Sequence, residues 1–330
     1  MAANLTPQYL KAEEEYRRAA TLEDELKWLE VMLREIPKHK SSEKLQSELK
    51  QKISRAKRDL EVERKTGKRG HGVRIPRQGA GTAVVLGGPN AGKSCLVARL
   101  TRATPEVAPY PFTTRAPQPG MMPWEDVAVQ LIDTPPVTAD YLEPYMQGLV
   151  RAADTALLLV DMGRDEGLDE YQELLERLAQ TKTRLARASS LDENDLGVSY
   201  TQTLLVPNKM DQPGAEERLA LLDELYPHDF PVYPISAEHG SGLESLREAI
   251  YRSLDVVRVY TKLPTHKEAD RDRPFTVRRG GTVLDVAQQV HKDFVENLRF
   301  ARVWGSQVHD GTVVKGDHVL CDGDVVELHA

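Results

Sequence analysis

The run Gly87-Gly88-Pro89-Asn90-Ala91-Gly92-Lys93-Ser94 has the residue types and spacing of a polyphosphate cradle. Glycines let successive backbone N–H groups curl around an anion where a Cβ would obstruct the approach. Lys93 carries the charge to neutralise β- and γ-phosphates, and the Ser94 hydroxyl is a hard ligand suited to Mg²⁺. Gly88, Pro89, Asn90, Ala91 and Gly92 supply the rest of the loop, with Cys95 directly behind it. An apolar, strand-like segment (83–86) precedes the run and a helix-like one (96–100) follows. The helix N-terminus would add unpaired N–H groups and a partial positive charge. A glycine-rich turn with a chance lysine would need no such flanks.

Further residues suited to one nucleotide site follow. Asn208-Lys209-Met210-Asp211 begins 115 residues after Lys93, at the end of another apolar segment. The Asp211 carboxylate can accept two hydrogen bonds from guanine N1 and N2, a pair that adenine does not offer. Lys209 would cover the base, and Asn208 would tie the loops together. Between the cradle and the next strand lies Tyr110-Pro111-Phe112-Thr113-Thr114. Thr114, flanked by Phe112 and Thr113, can place its hydroxyl on Mg²⁺ and its backbone on a γ-phosphate, forming a switch that orders with GTP. Asp133 ends a strand-like run and would bind Mg²⁺ through water. Ser236-Ala237-Glu238 ends the segment 232–235; in GTPases such a loop presents a backbone N–H to the guanine O6.

These residues need a scaffold that brings strand ends together. Apolar runs at 83–86, 127–132, 156–160, 203–206 and 232–235 alternate with helical segments, the pattern of an α/β, doubly wound, mostly parallel sheet. Phosphate sites belong at the carboxyl ends of such strands. Polar, aperiodic 181–203 reads as a surface loop. Residues 1–80 read as a helical, helix-turn-helix-like basic domain folded as a hairpin. Thr6-Pro7 and Thr21-Leu22-Glu23-Asp24 are helix starts, and Ser41 or Ser42 caps a third helix. Residues 81–265 form the nucleotide domain and 266–330 a small α+β unit, with strands expected at 274–278, 301–304, 313–314, 318–320 and 325–328.

Composition narrows the class. With 330 residues, 40% hydrophobic content and 29% charge, the chain fits a soluble multidomain protein. No apolar stretch is long enough to span a membrane, and two cysteines give no disulfide framework, so the cytoplasm is the expected compartment. Cys95 reads as a small filler rather than a reactive thiol. His318 and Cys321 lack two further ligands for zinc. Arg278-Arg279 reads as a solvated turn, and Asp161 and Asp165 as strand-end and loop residues. The net charge of −7 hides an asymmetry: residues 1–80 hold 19 Lys+Arg against 13 Asp+Glu. Lys50, Lys52, Arg55, Lys57, Arg58 and Lys65 are concentrated in this arm. A basic arm on an acidic body points to RNA phosphates, or to nothing more than a solvated helix face.

Taken together, these motifs resemble those of the Obg-related family of developmentally regulated GTP-binding proteins. The Pro-Asn-Ala-Gly-Lys-Ser loop and Tyr-Pro-Phe-Thr-Thr switch are typical of that group. The segment Ile36-Pro37-Lys38-His39-Lys40-Ser41-Ser42-Glu43-Lys44-Leu45 resembles its N-terminal helical hairpin. Val257-Arg258-Val259-Tyr260-Thr261-Lys262 and Ala301-Arg302-Val303-Trp304-Gly305-Ser306 resemble its junction and its C-terminal TGS domain, a β-grasp, ubiquitin-like module. The resemblance implies a P-loop GTPase domain, GTP or GDP with Mg²⁺, and catalytic roles for Lys93 and Thr114. It further implies K⁺ held by Asn90, a ribosome or ribosomal RNA as partner, and a protein cofactor that stabilises the family member. It suggests a monomer and no DNA sequence specificity.

Two departures stand out. Only 46 residues (162–207) separate Asp161 from Asn208, too few for the small domain that family members insert there. The family's Asp-x-Pro-Gly is Asp133-Thr134-Pro135-Pro136 here, and Pro136 has no N–H for a γ-phosphate. Val137 follows, where Ras-like enzymes place a water-orienting glutamine and Obg-like ones a hydrophobic residue. Three functions fit: a slow GTPase near the ribosome, a GTP/GDP-binding scaffold with little hydrolysis, or an RNA-binding adaptor.

Overall fold

The computed structural model describes residues 5–19, 21–37, 42–66, 75–101, 117–192, 197–266 and 268–330. Three helices open the chain: α1 (Pro7–Arg17), α2 (Leu22–Glu35) and α3 (Glu43–Thr66). The Thr6 hydroxyl accepts from the Tyr9 N–H, and Thr21 accepts from the Asp24 N–H, so both expected starts are side-chain caps. Tyr9, Tyr16, Leu29, Met32, Leu49 and Ile53 form a separate core among them. The expected hairpin is therefore α2 against α3, with α1 packed on α2 as a third helix.

The central domain runs β1 (Thr82–Gly87), α4 (Lys93–Leu100), β2 (Gln118–Trp124), β3 (Val127–Asp133), α5 (Met146–Ala152), β4 (Thr155–Asp161), α6 (Glu166–Ala179), β5 (Thr183–Ala186), β6 (Ser190–Leu191), β7 (Ser199–Asn208), α7 (Ala215–Leu225) and α8 (Leu243–Ser253). The sheet order is β2-β3-β1-β4-β7-β5, with β6 beside β7. All pairs on that path are parallel except β2 with β3. Alternate strand residues feed two cores. Ala83, Val85, Leu157 and Leu159 face α4 and α8, whereas Val84, Leu86, Leu158 and Val160 face α5, α6 and α7.

The remaining elements are β8 (Val256–Thr261), β9 (Asp270–Arg278), α9 (Val283–Val290), α10 (Lys292–Asn297), β10 (Phe300–Gly305), β11 (Val308–Val314) and β12 (Asp324–His329). They form a second sheet in the order β11-β10-β12-β8-β9, around Val257, Val259, Val286, Ala301, Val303 and Val326. Because β8 pairs with β9 and β12, residues 256–261 belong to this sheet, although 265/266 is the division expected from the sequence.

Several expectations are corrected. The described residues of 181–203 contribute β5, β6 and the first half of β7 rather than a surface loop. The inward positions of β7 are Ser199, Thr201 and Thr203, all fully buried. Hydroxyls rather than aliphatic groups carry the alternation, and the Thr201 hydroxyl donates to the Val150 carbonyl at 3.1 Å. Residues 232–235 form only a bridge, between Val232 and Leu205. Tyr233 N–H donates to Leu205 O and Ile235 N–H to Pro207 O, but Pro207 has no N–H to return. Residues 318–320 likewise make one bridge, Val319 with Thr282, and no strand. The unexpected β2 carries Pro119 and Pro123, tolerated because it lies at the sheet edge. Arg278 and Arg279 are both exposed, as expected, but Arg278 is also engaged in ion pairs at the end of β9. Arg278 joins Arg18 and Arg77 on the buried Asp154 carboxylate and also pairs with Glu14, so all three modules meet at one charge cluster.

Candidate functional site

Parallel pairing places the ends of β1, β3, β4 and β7 side by side: Val85 is level with Asp133, Gly87 with Leu159, and Asp161 with Asn208. The loop from Gly88 to Gly92 leaves β1 and enters α4 at Lys93. Asn90 (φ 58°) and Gly92 (φ 93°) adopt left-handed backbone, which Asn tolerates better than most residues and Gly accepts freely. A Cβ on Gly92 would collide with the Asn208 amide, so glycine is required there by space as well as by φ.

The loop closes on its own lysine. Lys93 Nζ donates to the Gly87 carbonyl at 3.0 Å and to the Gly88 carbonyl at 2.7 Å. Burial pushes the Lys93 ammonium down to about 8, against the opposing pull of Asp133 and Glu170. Ser94 Oγ donates to Asp133 Oδ2 at 2.6 Å, bringing together two of the three oxygens expected at Mg²⁺. Phe112, Thr113 and Thr114, the other expected switch residues, lie outside the described residues. Burial pushes the Cys95 thiol up, away from a reactive thiolate.

On the other side of the cradle, Asn208 connects two loops. Its Nδ2 donates to the Ala91 carbonyl at 2.8 Å and its Oδ1 accepts the Ala237 N–H at 3.0 Å. Asn208 thus holds one backbone N–H, that of Ala237, in the loop expected to present an N–H to guanine O6. Lys209, at φ 65°, extends past Gly163 and places Nζ 2.7 Å from Asp161 Oδ2. Asp211 accepts from Gln212 Nε2 at 2.7 Å and lies 3.5 Å from His239 Nδ1. The Ser236 hydroxyl, Gln212 and His239 hold its carboxyl below the ordinary range, so it is an anionic acceptor at neutral pH. Glu238 is exposed, and its carbonyl accepts from Arg99.

The segment after Asp133 is pinned. Thr134 Oγ1 donates to the Val85 carbonyl at 2.6 Å, and Val137 N–H donates to the Gly87 carbonyl at 3.3 Å. The Val137 side chain is buried against α5 and Leu86. Between those anchors Pro135 and Pro136 offer no N–H. Three further charged side chains meet the cradle: Asp161, Arg164 and Glu170. No motif marks them; the available signal was a carboxylate closing the fully buried β4, at the same strand-end position as Asp133 and Asn208. Among the described residues, no group of three or more His, Cys, Asp or Glu could hold a metal ion.

The strand order and the cradle between β1 and α4 define a P-loop GTPase fold joined to a β-grasp domain. Known proteins agree. Residues 82–189 match the family described as 50S ribosome-binding GTPase, and residues 257–330 match the TGS domain. The chain is 30% identical to an uncharacterized GTP-binding protein of Methanocaldococcus jannaschii, over 93% of this chain and 92% of that protein. It is 26% identical to developmentally-regulated G-protein 2 of Arabidopsis thaliana, over 92% and 90%. The YchF GTPase of Schizosaccharomyces pombe shares the fold at TM-score 0.51 and 14% identity, over 77% of this chain and 99% of that one. The chain belongs to the TGS-containing family of GTP-binding proteins that includes the developmentally regulated ones, and it is a member of the GTPase superfamily. The archaeal alignment spans 363 residues, more than the 330 of this chain, so that relative carries residues missing here. Between β4 and β7 this chain has only α6, β5 and β6, with no inserted domain among the described residues.

Proposed function

We propose that this protein binds GTP and GDP across the ends of β1, β3, β4 and β7 and hydrolyses GTP slowly, with Mg²⁺. The observation that carries this is the Asn208 side chain, which couples the Lys93 loop to the 236–238 loop while Ser94 and Asp133 meet on the far side. In this reading Lys93 leaves the Gly87 and Gly88 carbonyls to neutralise phosphate oxygens. The N–H groups of residues 88–95 surround the phosphates at the start of α4. Asp211 accepts from guanine N1 and N2, Lys209 covers the base, and the 236–238 loop borders O6. Ser94, Asp133 and Thr114 would hold Mg²⁺, whose charge stabilises the leaving diphosphate. Thr114 would also orient the attacking water.

With Val137 where Ras-like enzymes place a water-orienting glutamine, turnover should be on the order of 10⁻⁴ to 10⁻² per second, as for unassisted GTPases. Exposed Asn90 is the proposed K⁺ ligand. GTP turnover in K⁺ and in Na⁺, against a Lys93→Ala control, tests the reading. Turnover no higher than the control in either salt, with or without ribosomes, would refute hydrolysis.

For setting, we infer a cytoplasmic factor that works on the ribosome or its RNA. The family description and the exposed Lys50, Arg55, Lys57 and Arg58 of α3 support this. Lys57 is also paired with Glu30 at 2.9 Å, which reduces its free charge. Charge reversal at Lys50, Arg55 and Arg58 should reduce RNA retention and flatten its salt dependence. The side chain of Lys65 lies outside the described residues. A second reading, a nucleotide-binding scaffold with little turnover, is favoured by one observation: the pinned, N–H-free Pro135-Pro136 segment.

A further inference from the structure

Arg164 lies in the turn between β4 and α6, and its guanidinium reaches three groups. Nε donates to Asp161 Oδ2 at 3.0 Å, and Nη2 donates to the Pro89 carbonyl at 3.1 Å and to both Glu170 oxygens at 2.7 and 2.8 Å. Asp161 is fully buried, and the same Oδ2 receives Lys209 Nζ. Its other oxygen accepts the Gly163 N–H at 2.9 Å. One chain of charge-assisted bonds therefore links the phosphate cradle, at Pro89, to the base loop, at Lys209.

Glu170 stands out in this cluster. Its carboxylate is packed on Gly88 so closely that a Cβ there would collide with it. It is only partly exposed, and its field acts on Lys93. A carboxylate beside a polyphosphate cradle opposes an incoming anion. Arg164 cancels that charge and at the same time fixes the loop carbonyl. Its planar fork suits this double task, whereas a lysine could not span the carbonyl and both carboxylates.

We propose that Arg164 is a positioning residue for nucleotide binding, which braces Pro89 and screens Glu170 from the phosphates. This rests on the reading of the cradle as a guanine-nucleotide site. The expected signature is a double-mutant cycle. With Mg²⁺ present, Arg164→Ala should weaken a fluorescent GDP analogue roughly 10- to 100-fold. Arg164→Ala with Glu170→Gln should recover most of that loss, and Glu170→Gln alone should bind at least as tightly as wild type, with a steeper loss of affinity as salt rises, because the Arg164 charge is then uncompensated. A purely structural arginine would show no rescue. Equal binding by Arg164→Ala and wild type, or equal weakness of the single and double variants, would overturn the proposal. Should Arg164→Ala fail to fold, Glu170→Gln carries the test by itself: weaker binding than wild type, or an unchanged salt dependence, overturns it. Absence of binding by wild type would overturn the nucleotide reading, and this inference with it.

Discussion

The two sides of the cradle are built to different standards. On the base side, Asn208 satisfies both ends of its amide on two separate loops, Lys209 is held on a buried carboxylate, and Asp211 is kept ionised by its neighbours. On the side where a third phosphate would lie, Pro136 puts a ring where the family has a glycine N–H, next to Pro135, and Thr134 and Val137 fix the segment at both ends. In the proposed reading, a site so divided would hold base and diphosphate firmly and read the third phosphate poorly. A ligand bound equally by two conformations shifts neither, so any nucleotide-driven switching must come from the first-switch segment.

The contrast can be broken most severely at Lys93. Lys93→Ala should weaken GDP and GTP alike, by about 100- to 1000-fold, because it removes a buried cation from two phosphates. A loss confined to GTP would move Lys93 to the other side of the division. Asp211→Ala should weaken GDP by about 10- to 100-fold and erase its preference over ADP, as read by competition binding. Retained guanine selectivity would place base recognition elsewhere. Pro136→Gly restores the missing N–H. It should improve a non-hydrolysable GTP analogue relative to GDP by about tenfold; no gain would mean that the pinned backbone, not the proline ring, limits the contact.

The smallest effect is that of pH. The Lys93 ammonium titrates near 8 in the free protein, well below its ordinary 10.5. Phosphates would raise it again, so binding should take up a proton near pH 8, and affinity should fall as pH rises through that value. Calorimetry in buffers of different ionisation enthalpy reads the proton directly. The folded chain also binds fewer protons here than the unfolded chain between about pH 8 and 10.5. Wild-type stability should therefore rise across that window relative to Lys93→Met.

Legibility followed where chemistry is local. The cradle and Asn208-Lys209-Met210-Asp211 could be read because their backbone and contact requirements fix residue types at short spacing. Strands β1 and β4 could be read because both faces are buried and both are aliphatic, and β3 because Val129 and Leu131 form a buried aliphatic face. The first half of β7 was hidden because its inward face is hydroxyl, and β2 because an edge strand admits proline. The Asp161–Arg164–Glu170 cluster was hidden for a different reason: its partners at Pro89 and Lys209 are 75 and 48 residues away along the chain, and only the fold brings them together. The Asp154 cluster is similar, with arginines drawn from the C-cap of α1, the linker before β1, and β9.

The most direct test of the divided site compares the affinity of the purified chain for GDP and for a non-hydrolysable GTP analogue, with Mg²⁺, in both K⁺ and Na⁺. The division predicts that both bind and that they differ by less than about tenfold, a difference of under about 1.4 kcal/mol. A preference of 100-fold or more for the triphosphate analogue in either salt would contradict it, because a segment without an N–H donor at Pro136 would then be reading the third phosphate after all.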